Sequence, residues 1–268
     1  MYEAFKEIAV RHGFPPDFPS ATAGRELAAR FIADPAIFSV VAEIDGVVAG
    51  SNFLSEGDPI RGVGPITVDA RLQGGGVGRA LMTAVLERGA RAEGVRLVQD
   101  AFNTRSFALY SSLGFAAREP LLLLLGTPKS APTAGFSIRH LTTGDLAACG
   151  LLAQRVHGFE RTAELRDTLK IFQPFVVERD GRITGYLSAA TFWIANHGVA
   201  ETEDDMRALL LGAAAADSAP LSLLMPGRQT SLLRWCLSQG LRVVKPMTLM
   251  TTGAYHEPNG AYFPSVFY

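Results

Sequence analysis

Only two cysteines occur in the chain, Cys149 and Cys236, far apart and each among apolar neighbours. That spacing excludes a disulfide framework, a zinc ribbon and a CxxC redox pair, and leaves two buried free thiols. The five histidines, His12, His140, His157, His197 and His256, lack metal-ligand spacing, and no nucleophile–His–Asp arrangement stands out. Charge of one sign is also missing: 25 basic against 26 acidic residues give a net charge of −1. Bulk nucleic-acid binding and a polybasic membrane surface are therefore not expected. The longest unbroken apolar run, Leu121 to Leu125, is strand-length and far short of the ~20 residues of a membrane helix. Met1 leads straight into a mixed polar–apolar helical pattern without a signal peptide. A cytoplasmic protein is expected.

What is present is enough apolar residue, 48% of the chain, for a large core, and enough length, 268 residues, for two ordinary domains. The pattern predicts helices over 1–12 and 20–33, then strands over 38–43 and 47–54 joined at Asp45-Gly46, a hairpin signal. A strand over 62–68, a helix over 78–93 stopped by Gly94, and a strand over 95–99 follow. A helix over 104–113 ends at Gly114, and strands over 115–118 and 121–125 close the first half. Residues 128–135 have linker composition. The same grammar then restarts. Val156-His157-Gly158-Phe159 echoes Arg11-His12-Gly13-Phe14. The stretch Val176 to Gly185 echoes Val41 to Gly50. Leu233 to Leu241 echoes Phe107 to Phe115. Three echoes in one order imply a tandem duplication, with domains over 1–127 and 136–268. The second copy opens with a strand over 136–141 and a helix over 143–156. The first copy is therefore expected to lack its opening strand and part of its first helix, as a late-assigned start or a truncation would leave it; the rival reading is a fold that manages without that strand.

The segment Val68-Asp69-Ala70-Arg71-Leu72-Gln73-Gly74-Gly75-Gly76-Val77-Gly78-Arg79 runs from a strand through a glycine loop into a helix. Such a loop offers bare backbone N–H groups, and a helix dipole, to a phosphate. It is not a P-loop, because Arg79-Ala80 stands where Lys and Ser/Thr are required. It departs from the dinucleotide fingerprint at the third glycine, and a hairpin precedes it where a βαβ unit is needed. It does satisfy Gln/Arg-x-x-Gly-x-Gly/Ala, at Gln73 to Gly78. One helix and one strand later comes Asn103-Thr104-Arg105-Ser106-Phe107-Ala108-Leu109-Tyr110-Ser111-Ser112-Leu113-Gly114-Phe115.

In both blocks, residues 1–127 resemble the GNAT superfamily of N-acetyltransferases, and 136–268 resemble it in outline. The resemblance implies an α/β (α+β) fold of two tandem GNAT-like domains, each a mixed, mostly antiparallel twisted sheet flanked by helices. It implies acetyl-CoA as co-substrate, held by Ile66, Val68, Gln73, Gly74, Gly75, Gly76, Val77, Gly78, Arg79, Asn103 and Tyr110. The Val68 N–H would polarise the acetyl carbonyl, and Tyr110 would protonate the leaving thiolate. Simpler readings stand beside these. Tyr110 also suits a core position, Asn103 a helix cap, Arg79 a solvated first turn, and the glycines a flexible turn. Glu56, Asp58 and Asp69 are candidate general bases, each more readily read as a solvated loop acid.

The second half lacks a glycine cradle. Glu201, Glu203, Asp204 and Asp205 stand in its place, Gln229 replaces Asn103, and Cys236 replaces Tyr110. A degenerate, CoA-free copy is expected, shaping the acceptor pocket, with the aromatic tail 255–268 packed as a last strand of its own domain or, alternatively, walling the acceptor site. His12 to Ser20, with Phe14 and Phe18, is expected to line the acceptor site. The expected function is N-acetyl transfer to a small-molecule or peptide amine, by a monomer or homodimer. The alternative is an acetyl-CoA-binding sensor without turnover.

Overall fold

In the computed structural model, which describes residues 1–266, helices and strands are interspersed along the chain. They run α1 (Tyr2–Arg11), α2 (Ala21–Ala33), β1 (Ile37–Ile44), β2 (Val47–Ser55), β3 (Ile60–Val63), β4 (Thr67–Val68), α3 (Val77–Arg88), β5 (Gly94–Asp100), α4 (Thr104–Ser112) and β6 (Ala116–Gly126). Then come β7 (Ser137–His140), α5 (Leu146–His157), α6 (Thr162–Thr168), β8 (Phe175–Arg179), β9 (Arg182–Leu187), β10 (Gly198–Ala200), α7 (Glu203–Ala216), β11 (Leu221–Pro226), α8 (Thr230–Ser238), β12 (Arg242–Gly253) and β13 (Ala261–Phe263). This is the expected α/β class, with open, mostly antiparallel sheets flanked by helices.

Two compact units form. The first holds Met1–Ala117 together with Met250–Ala254; among the described residues the second holds Arg118–Leu249 and Tyr255–Val266. The linker-like stretch 128–135 thus lies inside the second unit, and the last residues of β12 belong to the first. In the first unit β1 pairs with β2, and β2 with both β3 and β4, all antiparallel. β3 pairs in parallel with β5, and the Met250–Gly253 end of β12 lies on the other side of β5. Ala254 closes that edge: its N–H donates to the Glu93 carbonyl at 2.8 Å, and its carbonyl accepts from Arg96 Nη2 at 2.6 Å. A Cβ on Gly94 would stand 2.7 Å from that same carbonyl. Gly94 therefore opens β5 as a close-approach residue and is not the helix stop expected of it. The helix ends earlier, at Gly89, whose N–H returns to Val85.

In the second unit the five-stranded order is β13-β10-β9-β8-β7, all antiparallel. β11 pairs antiparallel with β6 over Leu221–Pro226 and Leu121–Gly126. β6 is one strand where two were expected. Pro120, which has no N–H, sits just outside that ladder and does not break it. The expected strand over 62–68 is split instead. The Gly64-Pro65-Ile66 step separates β3 from β4 where proline removes a ladder donor.

The echoes in sequence are echoes in backbone. Asp45 and Gly46 have φ of 50° and 77°, and Asp180 and Gly181 have 54° and 74°, the left-handed pair of a tight hairpin turn. Both hairpins shift register at the same point, Ala42/Glu43 and Val177/Glu178. The helix-ending glycines Gly13 and Gly158 have φ of 76° and 88°. Among the described residues β1 pairs with β2 alone, whereas its counterpart β8 pairs with β7 and β9. The tail forms β13 against β10, with Tyr262 and Phe263 fully buried. Phe267 and Tyr268 of the expected tail strand lie outside the described residues. Both cysteines are buried, and burial pushes each thiol up to about 12, so neither is a reactive thiolate.

Candidate active site

The site in the first unit starts where two strands part. The β3–β5 ladder covers Ile60–Gly62 against Gly94–Arg96 and goes no further. Past that point β4 pairs, among the described residues, with β2 alone. The Asp69 N–H donates to Ala49 of β2 at 2.9 Å. Because N–H groups alternate along a strand, the Val68 N–H points to the opposite, open edge of β4. The Val68 and Ile66 side chains rest against Ala49, Val77 and Leu81. A gap bounded by β4 and the end of β5 results, with backbone donors on one wall.

The glycine loop stands at the mouth of that gap. After a 3₁₀ turn at Ala70–Leu72, Gly74 and Gly76 take φ of 93° and 88°, a conformation that L side chains rarely adopt. Gly76 caps α3, whose first N–H groups, from Val77 to Arg79, have no carbonyl in a preceding turn. Gly78 is short for a packing reason: a Cβ there would lie 3.4 Å from Leu109 Cδ2 and 3.7 Å from Val68 Cγ2. Two cations flank this anion-ready terminus. Arg79 donates to Ser112 Oγ at 2.8 Å. Arg105 donates to Gln73 Oε1 at 3.2 Å, and its Nη2 lies 2.6 Å from where a Cβ on Gly74 would stand. Reading the sequence missed Arg105, although its place in the first turn of α4, where the helix dipole disfavours a cation, was a signal. The loop residues Gln73 to Gly76 and both arginines are exposed.

Asn103 caps α4, its Oδ1 accepting from the Ser106 N–H at 3.1 Å, which leaves its Nδ2 as a donor. Tyr110 is one helical stretch further on and only 5% exposed. Its ring packs with Val95, Leu97 and Met82 and meets Phe115 edge-on at 6.2 Å. Burial pushes its phenol up to about 12, the hydrogen bond with Ser106 opposes this, and the charge of Asp100 adds to it. The hydroxyl is thus protonated throughout the physiological range.

The candidate bases fare differently. Asp69 is held by Arg71, with Nε to Oδ1 at 3.0 Å and Nη2 to Oδ2 at 2.6 Å. That hydrogen bond is the main cause of its carboxyl being lowered to about 2, too low for an effective base at neutral pH. Glu56 makes a forked pair with Arg88, through Nε at 3.0 Å and Nη2 at 2.9 Å. It braces β2 against α3. Asp58 is half-buried and has an interaction of its own. Across the gap, Phe102 stacks on Phe14 with ring centres 4.5 Å apart and on His12 at 5.1 Å, so the α1–α2 loop is pinned to the β5–α4 loop. Phe18 is buried against Phe5 of α1 and lines no opening.

The second unit builds the same frame and fills it. β13 pairs with β10, the counterpart of β4. Gln229, the counterpart of Asn103, donates to the Tyr262 carbonyl at 2.6 Å and accepts from the Tyr262 N–H at 3.1 Å. The start of α7 is capped by Thr202 and carries Glu203, Asp204 and Asp205 in its first turn. Asp205 is fully buried, accepting from Arg179 at 2.9 Å, Thr184 at 2.7 Å and Thr202 at 2.6 Å. Where the first unit offers donors, the second has already supplied the anion. Among the described residues no group of three or more His, Cys, Asp or Glu is placed to hold a metal, and no helix is long and apolar enough to cross a membrane.

Comparison with known proteins finds the same fold. Residues 4–115 match the Acetyltransferase (GNAT) family model. A Pyrococcus horikoshii protein provisionally classed as an acetyltransferase superposes with a TM-score of 0.75 at 14% identity, over 99% of this chain and 89% of its own. A GCN5-related N-acetyltransferase from Sphaerobacter thermophilus gives 0.60 at 17%, over 96% and 92%. A tandem GNAT protein from the clavulanic acid biosynthesis pathway gives 0.57 at 15%, over 94% and 92%. No curated protein matches the sequence.

Proposed function

We propose that this chain, whose residues 4–115 match the Acetyltransferase (GNAT) family model, is a GNAT-type enzyme and that its first unit transfers the acetyl group of acetyl-CoA directly to an amine. The observation that carries this reading is the loop: left-handed Gly74 and Gly76 at the start of α3, with Arg79 and Arg105 on either side, beside the open edge of β4. A pyrophosphate fits that cradle, because bare N–H groups, a helix dipole and two guanidinium groups all favour a dianion. Bound there, acetyl-CoA supplies a thioester whose acetyl carbon accepts the amine.

The chain's own residues do the rest. The Val68 N–H donates to the carbonyl oxygen as negative charge builds on it, a contribution typically worth ~10²–10³ in rate. The Asn103 Nδ2 donates to the pantetheine arm. The Tyr110 hydroxyl, kept protonated by burial, donates to the departing sulfur. With the phenol pushed up to about 12, full proton transfer to a thiolate is uphill, so Tyr110 acts chiefly as a hydrogen-bond donor to sulfur. The Phe14–Phe102–His12 stack borders the side from which a small-molecule or peptide amine enters. Glu56 and Asp69 are each held by an arginine, so the amine arrives neutral or loses its proton to water.

The second unit binds no CoA on this reading, because β13 lies on the edge of β10 and acids occupy the start of α7. Amine-dependent release of thiol from acetyl-CoA, measured across a panel of amines, tests the enzyme. The pairing of Glu56 and Asp69 with arginines favours a second reading, an acetyl-CoA sensor without turnover. Tight binding of acetyl-CoA with no amine-dependent thiol release would select it.

A further inference from the structure

Gln99 is the penultimate residue of β5 and only 7% exposed. Neither its Oε1 nor its Nε2 has a hydrogen-bond partner among the described residues. Native folds seldom leave a buried amide in that condition, because both its atoms have given up water for nothing. Strand alternation places it. Val95, Leu97 and Gln99 share one face of β5. On that face Val95 and Leu97 belong to the cluster that contains Tyr110. Gln99 also lies beyond the Gly62–Arg96 pair where the β3–β5 ladder ends, in the stretch that borders the gap to β4.

The second unit supplies a control within the same chain. Gln99 stands four residues before Asn103; Met225 stands four before its counterpart Gln229. Met225 is fully buried in the cluster that includes Phe263 of β13. Where the chain fills the cleft with its own strand, this position is apolar. Where β4 has no such strand beside it among the described residues, it is an amide.

We propose that Gln99 holds the pantetheine arm of acetyl-CoA through the arm's amide groups and so positions the thioester beside Val68 and Tyr110. The chemistry selects this class of ligand. With both Oε1 and Nε2 unmet, the ligand has to supply a donor and an acceptor. An amide does; a phosphate, a carboxylate or a hydrocarbon chain does not. The assignment rests on the acetyl-CoA reading.

The test replaces Gln99 with a near-isosteric apolar residue, Gln99→Met, with Gln99→Leu as a second variant should the first fold poorly. Wild type and variant are assayed with acetyl-CoA and with two truncated donors, S-acetyl-N-acetylcysteamine, which keeps an amide, and S-acetyl-2-mercaptoethanol, which has none. Wild type should use the amide-bearing donor about tenfold better in kcat/KM, the scale of one hydrogen bond. The variant should lose most of that preference, with KM for acetyl-CoA raised about tenfold, a smaller fall in kcat and Tm unchanged or higher. An undiminished preference with unchanged KM overturns the role of Gln99. Calorimetry separates the two levels: wild type that does not bind acetyl-CoA overturns both readings, whereas wild type and Gln99→Met binding it equally tightly overturns only the second.

Discussion

The Nη1 of Arg105 donates to the Oε1 of Gln73 at 3.2 Å, which ties the first turn of α4 to the entrance of the glycine loop. The bond places a guanidinium against Gly74, so the loop and the cation that closes over it form one device. Gly74→Ala and Gly76→Ala should separate their contributions. Both impose a left-handed backbone on a residue with a Cβ, at a cost of ~1–2 kcal/mol. Only at Gly74 does the new Cβ meet Arg105, while nothing lies within 4 Å of one at Gly76. Gly74→Ala should therefore weaken acetyl-CoA binding more than Gly76→Ala does, and the difference should vanish in an Arg105→Ala background. Titration calorimetry on the four variants reads this directly. An equal effect in both backgrounds would remove Arg105 from the phosphate site.

Tyr110→Phe keeps the ring in its core position and removes only the hydroxyl. Turnover should fall by ~10²–10⁴, the usual range for a lost proton or hydrogen-bond donor, while affinity for acetyl-CoA stays within a few-fold. Because the phenol is pushed up to about 12, Tyr110 adds no ionisation to the pH–rate profile below about pH 10. Steady-state kinetics of the two proteins, compared over pH 6 to 10, checks both statements. An alkaline limb present in wild type and absent in the Phe variant would contradict the second.

One acetyl-CoA per chain is the expected stoichiometry. Tyr262 engages both amide atoms of Gln229, and Asp205 is already saturated by Arg179, Thr184 and Thr202. Gln229→Leu should lower stability by ~1–3 kcal/mol, since it strands two backbone groups of β13, without creating a second site. Calorimetry finding two equivalent sites in wild type would refute this account of the second unit.

Acid should destabilise the second unit through His197. This side chain is fully buried, with Nδ1 3.3 Å from the Tyr186 hydroxyl and Nε2 3.3 Å from His157 Nε2. Burial first, then the charges of Arg161 and His157, hold it well below its ordinary 6.5. The sign follows from which state takes the proton. Below about pH 6.5 the unfolded chain binds a proton at this residue that the folded chain refuses. Stability is thus complete above about 6.5 and falls by up to ~1.4 kcal/mol per pH unit as pH drops toward the folded value. Thermal melts between pH 7.5 and 5 should show that slope, and His197→Asn should flatten it.

Local features were legible in the sequence. Asp45-Gly46, Gly74, Gly76 and the Asn103 cap are required by backbone geometry within a few residues, and geometry of that range is written in residue type. Tyr110 was legible as a residue of interest, but its burial was not, because that depends on Val95, Leu97 and Met82 from other elements. Arg105 and Gln99 read as ordinary helix and strand positions; what distinguishes them is a partner 32 positions away in one case and a missing partner in the other. Gly94 was misread because its reason for being small, the Ala254 carbonyl, comes from the far end of the chain.

That last contact bears on how the protein is made. Met250 lies in the core of the first unit, and Ala254 closes the edge of its sheet at Glu93 and Arg96. A ribosome that has finished Ala117 still has roughly 140 residues to add before these groups exist, on the order of 10 s of synthesis. During that interval β5 waits with a bare edge. The unit whose synthesis begins first is therefore completed only once Ala254 has been added.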